Sequence, residues 1–129
     1  MVARGRRLTL PPMAINLDDE FRFHAAALSL RAPRQEVLAS NIANAATPNY
    51  KARDLDFGAA LSQALANPAS PQSSGAHLLY RQPAQASLDG NTVEMDAERA
   101  RFAENALRYE ANLTILGMKI KQLLSAIQG

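Results

Sequence analysis

The sequence has no cysteine and no tryptophan, and only 5% of its residues are aromatic. Without cysteine there is no disulfide framework, no thiolate metal site and no cysteine nucleophile. With so few aromatics in a chain that is 47% hydrophobic, alanine and leucine supply the apolar volume, and these suit helices better than sheets. Histidine is nearly absent: His24 and His77 are the only two, and neither has a carboxylate or second ligand at metal spacing. Ser40 has no G-x-S-x-G context and no sequence-adjacent base, and Gly90 and Gly117 belong to no phosphate loop. No run approaches the roughly 18 apolar residues of a membrane span. The sequence therefore assigns no catalytic residue, cofactor site, metal site or small-molecule substrate.

Positive charge is scarcer than the pI near 9.3 suggests. Arg4, Arg6 and Arg7 all lie in "MVARGRRLTLPP"; without them 11 Lys and Arg face 12 Asp and Glu. The body is near neutral with mixed signs, so no basic stripe marks a nucleic-acid partner. Residues 1–12 also lack the apolar segment of a secretory signal, and Met13 is an alternative start. They read as a dispensable N-terminal extension.

What the chain does have is helical periodicity at both ends. Met95, Phe102, Ala106, Tyr109, Leu113, Leu116, Ile120, Leu123 and Ile127 follow steps of three and four, broken only at Arg99. That is a heptad seam of the coiled-coil type, and Ala103, Leu107, Ala111, Ile115, Met118 and Leu124 add apolar surface beside it. Asn91 or Asp96 is placed to cap this helix. Glu94, Asp96 and Glu98 read as negative charge at a helix start rather than as a metal cluster. An N-terminal helix is predicted from about Leu17 to Asn44. Leu17, Phe21, His24, Leu28, Leu38 and Ile42 share one face, with Phe23, Leu30 and Val37 on a second stripe. Pro33 inside it predicts a bend between Ser29 and Pro33 without a break.

Between the helices, "GAALSQALA" suits a short helix and "HLLYRQ" a short strand, while "NPASPQSSGA" and "PAQASLDGN" read as Pro- and Ser-rich connections. The reading is a mainly α protein of one domain, its long N- and C-terminal helices pairing as a coiled coil around a loop-rich centre with candidate short strands. Its parts are the extension 1–12, the N-terminal helix of the coiled-coil domain at 13–46, the central segment 47–92 and the C-terminal helix of that domain at 93–129.

The stretch "NIANAATPNYK" carries the most specific local signal. Thr47 precedes Pro48 and is biased to extended geometry, which ends the helix near Ala45 or Ala46. Pro48 fits position i+1 of a type II turn, and Asn49 fits i+2, which needs φ > 0. Asn41, Ile42 and Asn44 lie just before this exit. The two amides can satisfy the last helical carbonyls and the free N–H groups of the Thr47–Tyr50 turn, with an intersubunit contact as a second use.

"RQEVLASNIANAATPNYKARDLDF" resembles the N-terminal signature of bacterial flagellar axial proteins: rod, hook and hook–filament junction. "LDGNTVEMDAERARFAENALRYEANLTILGMKIKQLLSAI" and the short length look like the proximal basal-body rod branch of that family. The resemblance covers about residues 17–57 and 78–128. Ala46 stands where the family usually has aspartate and Asn49 where it usually has glycine; Pro33 and the arginine-rich start are also unusual. Asparagine tolerates φ > 0 next best, so the turn is expected to persist.

The resemblance implies a non-enzymatic structural subunit needed for motility. Its helices would line the inner tube of a helical assembly of this chain and other rod subunits. It would pass the flagellar type III export apparatus without a cleaved signal and sit in the rod across the periplasm, near the MS ring and a FliE-type adaptor. Packing and assembly then fall to Phe102, Ala106, Tyr109, Leu113, Leu116, Ile120, Leu123 and Ile127. The alternative is another coiled-coil axial or adaptor protein, such as the companion rod protein FlgC.

Overall fold

Two long helices lie antiparallel and position everything else. The computed structural model describes residues 17–67, 78–80 and 88–129. The N-terminal helix α1 spans Leu17–Ala43, and the C-terminal helix spans Met95–Gln128. Between them come the strand β1 (Arg53–Leu55), the helix α2 (Phe57–Ala66) and the strand β2 (Leu78–Tyr80); the C-terminal helix is therefore α3. Residues 1–16, most of "NPASPQSSGA" and the first part of "PAQASLDGN" lie outside the described residues, as does His77.

Asp18, Asp19 and Glu20 fill the first turn of α1, where they oppose the positive end of the helix dipole. The helix runs through Pro33 without a break. It ends at Ala43, one residue before the predicted Asn44 and two to three before the Ala45 or Ala46 end expected from Thr47 and Pro48, and unwinds through Asn44–Asn49. Tyr50 N donates to Thr47 O at 3.2 Å, closing the predicted four-residue turn, and Asn49 takes φ 64°. The chain then reverses into β1, a strand the sequence reading did not place. Asp56 caps α2 by accepting from Ala59 N at 3.3 Å. β2, predicted within "HLLYRQ", pairs antiparallel with β1 in the register Arg53↔Tyr80, Asp54↔Leu79 and Leu55↔Leu78.

The apolar core is small. Leu30 of α1, Leu55 of β1 and Ala60 of α2 are buried together, with Phe57, Leu61 and Ala64 packed against them. Ala27, Leu38 and Ala52 are buried as well. The inward face of α1 thus draws Leu30 and Leu38 from two different predicted stripes, and it leaves Leu17 and Phe23 exposed. Neither predicted cap serves α3. Glu94 holds the N-cap position without a side-chain cap bond, Asp96 is exposed, and the Asn91 amide is directed elsewhere.

Candidate functional site

At the end of α1, three asparagines hold the chain reversal, and Asn41 does most. Its side chain is fully buried. Nδ2 donates to Arg53 O at 2.6 Å and to Glu98 Oε2 at 3.0 Å; Oδ1 accepts from Arg53 N at 3.0 Å and from the Tyr50 hydroxyl at 3.3 Å. A carboxamide has the donor and acceptor geometry of a peptide group. Asn41 therefore pairs both backbone groups of Arg53 as a neighbouring strand would, and all its hydrogen-bonding capacity is used. Ser40 Oγ lies 3.1 Å from the same tyrosine hydroxyl.

Asn44 donates back to Ser40 O at 2.8 Å and accepts from Thr47 Oγ1 at 3.1 Å, serving a late helical carbonyl and the turn together. Asn91 completes the set from the other side: its Nδ2 donates to Asn44 O (3.0 Å) and Thr47 O (2.6 Å). Backbone bonds Asn49 N→Asp89 O and Thr92 N→Tyr50 O tie the turn to the approach to α3. Gly90, at φ 75°, sits against the Asn49 side chain, where a Cβ would overlap Asn49 Oδ1. Lys51 Nζ donates to Gly90 O at 2.5 Å. Pro48 and Asn49 are exposed, and Ile42 is half-buried.

Below the reversal, α1 and α3 meet through a ladder of polar side chains. Glu98, Asn105, Asn112 and Lys119 recur every seven residues on α3 and face α1. Glu98 is fully buried, holds Asn41 and stands 3.5 Å from Arg101 Nη1. Its role at a helix start is thus not merely dipole compensation. Asn105, also fully buried, donates to Arg31 O (2.9 Å) and Gln35 Oε1 (2.7 Å) and accepts from Arg31 Nη1 (3.3 Å).

Asn112 accepts from Arg31 Nε at 2.9 Å and lies 3.1 Å from His24 Nδ1, and His24 is a half-buried structural residue. Lys119 pairs with Glu20 at 2.9 Å. Arg31 is the hub: its guanidinium also covers the Phe57 ring at 4.2 Å, joining α1, α2 and α3. Burial pulls its pKa down, helped by the nearby Arg108 and Arg34. Beside it, Arg34 grips Asp54 through two bonds of 2.9 and 3.1 Å, and this hydrogen bonding raises its pKa.

Every rung is satisfied, so the ladder fixes register and antiparallel direction: a slip along α3 would bury unpaired amides and charges. Sequence reading gave no packing role to Arg31, Asn105 or Asn112, and took Glu98 only as charge at a helix start, because it searched for apolar periodicity. The seven-residue recurrence of 98, 105, 112 and 119 was the available signal.

The apolar seam consequently lies to one side of the helix pair. Phe102, Ala106, Tyr109 and Leu116 are half-buried, whereas Leu113, Ile120, Leu123 and Ile127 are exposed, Ile127 to 80%. At the upper end, Phe102, Ala106 and Tyr109 face Ala32, Gln35 and Ala39 across an open groove of about 440 Å³. Alanines on α1 are too short to cover the two rings.

Residues 21–51, which include most of α1 and the asparagine turn, match the family described as flagella basal body rod protein. The chain is 46% identical to flagellar basal body rod protein FlgB of Salmonella typhimurium, over 91% of this chain and 99% of that one. It is 48% identical to FlgB of Cereibacter sphaeroides, over 86% and 95%, and 43% identical to FlgB of Escherichia coli, over 90% and 98%. Identity at this level, spanning both helices and the reversal between them, leaves one conclusion: the chain belongs to the family of flagellar basal body rod proteins.

Proposed function

We propose that the protein is a structural subunit of the proximal rod of the bacterial flagellum, assembling with other axial subunits into the shaft that motility requires. The observation that carries this is 43–48% identity to rod proteins over 86–91% of a chain whose principal apolar stripe is left uncovered. An apolar stripe of this length on a lone helix pair suits burial against neighbouring subunits. FlgC or an unrelated coiled-coil adaptor is not favoured, because relatives matching nearly end to end carry the FlgB name.

Several finer parts of the reading rest on family resemblance. Asn41, Ile42, Asn44, Thr47, Pro48, Asn49 and Tyr50 hold the reversal in an assembly-competent shape, and the seam from Phe102 to Ile127 meets neighbours. The MS ring and a FliE-type adaptor are its partners at the rod base. The chain crosses the inner membrane through the flagellar export apparatus without a cleaved signal. It performs no catalysis. Among the described residues no helix is long and apolar enough to cross a membrane.

The test is deletion of the gene followed by purification of basal bodies. Assembly is expected to stop before a rod forms, with loss of swimming restored by the intact gene. Rods, hooks and filaments persisting in the deletion strain would overturn the reading.

A further inference from the structure

The groove and the seam below it have complementary chemistry. The groove floor is Phe102, Ala106 and Tyr109, its opposite wall is Ala32 and Ala39, and Glu36 and Glu110 stand at its rim. Both glutamates are exposed, and neither meets a cation among the described residues. The lower half of α3, "LTILGMKIKQLLSAIQ", has the opposite character. Its only charged residues are Lys119 and Lys121, and Leu113, Ile120, Leu123, Leu124 and Ile127 are exposed along it. Lys119 is engaged by Glu20, but Lys121 is exposed with no anion beside it among the described residues.

We infer that the groove between α1 and α3 receives the lower half of α3 from a second copy of this chain, with Lys121 of that copy reaching Glu36 and Glu110. Leucine and isoleucine side chains enter where the alanines leave room, and the two aromatic rings form the anchoring floor. This deepens the rod reading and rests on it. Donor and acceptor surfaces lie at different heights of one molecule. The contact is therefore heterologous: each copy keeps a free groove and a free helix end, and association propagates instead of closing as a dimer.

The absence of cysteine makes the contact directly testable. Ala39 borders the groove, and Leu124 is 50% exposed near the far end of α3. Phe102 shares the groove with Ala39, and Leu124 lies 22 residues further along the same helix, or roughly 33 Å at 1.5 Å per residue. No disulfide can span that distance within one chain.

A full-length chain carrying A39C and L124C is oxidised mildly, both purified and in basal bodies from a complemented strain. A ladder of dimers, trimers and higher species is expected, absent from each single variant. It should weaken at least several-fold in E36K/E110K and return when K121E is added. Ladder formation by purified protein tests the contact independently of flagellar localisation.

Three results would overturn the proposal. One is incorporation into basal bodies with no ladder, which would leave the rod reading intact. Another is dimers from either single-cysteine variant alone, marking a groove-to-groove or end-to-end contact. The last is a groove cysteine that cross-links only to a different rod subunit.

Discussion

Replacing Asn41 by aspartate changes one NH2 group to oxygen, yet the structure makes it a severe substitution. The aspartate keeps the acceptor side, toward Arg53 N and the Tyr50 hydroxyl, but loses both donors. It sets a carboxylate where Nδ2 lay 3.0 Å from Glu98 Oε2 and 2.6 Å from Arg53 O. Two unit charges about 4 Å apart repel by about 4 kcal/mol at an effective dielectric constant near 20. Asn41→Ala instead orphans the Arg53 N–H and C=O and one partner of Glu98, at about 1–3 kcal/mol for each group that water cannot reach.

Both variants are therefore expected to lose about 3–5 kcal/mol at pH 7, with aspartate at least as damaging as alanine despite its nearly unchanged shape. Acid should separate them. The repelling pair has a carboxyl pKa raised in the folded state, so its penalty is present above that pKa and shrinks as pH falls toward the unfolded value. Lowering the pH from 7 to 5 should thus narrow the deficit of Asn41→Asp relative to Asn41→Ala. Adding Glu98→Gln returns a donor opposite the introduced carboxylate and should recover about half of the loss at pH 7. Urea unfolding of the full-length proteins, followed by far-ultraviolet circular dichroism, measures all of these. An aspartate variant within about 0.5 kcal/mol of the parent, or a double variant no better than the single one, would refute the account of Asn41 as a buried peptide mimic.

Asn49→Gly should preserve motility and match or slightly exceed the parent in melting temperature, because φ 64° is strained for asparagine. Asn49→Val at the same φ should cost about 1–2 kcal/mol and impair assembly; equal behaviour of the two variants counts against the turn argument. Gly90→Ala should destabilise the chain, less so in an Asn49→Gly background where the overlap with Asn49 Oδ1 is gone; a double-mutant cycle with no coupling contradicts that contact. Pro33→Ala restores a backbone donor inside α1 and should raise stability by about 1–3 kcal/mol; an unfolding midpoint that does not rise shows that the helix has already accommodated the proline. Leu116→Asp, at a half-buried seam position, should block incorporation into basal bodies more than it lowers cellular protein level, and normal incorporation would remove the seam from the assembly surface.

The sequence by itself determined the elements that depend on local physics. Heptad spacing and helix-forming residues set α3. Proline at 48 with asparagine at 49 set the turn, since φ > 0 restricts residue type almost regardless of surroundings. The small-residue stretch after Phe57 set α2. Tertiary structure decided which face of each helix looks inward. The strongest apolar stripe of α3 suggested the helix pairing, yet Glu98, Asn105, Asn112 and Lys119 occupy that interface. Opposite them, Asn41, Gln35, Arg31, His24 and Glu20 supply matching donors and acceptors from positions 57 to 99 residues away. A polar residue read alone is indistinguishable from one meant for solvent; burial becomes favourable only when a partner is present to replace water. β1 was illegible for the same reason. Its outer edge is completed by a side chain of α1, and no property of "RDL" alone announces that Asn41 will stand there.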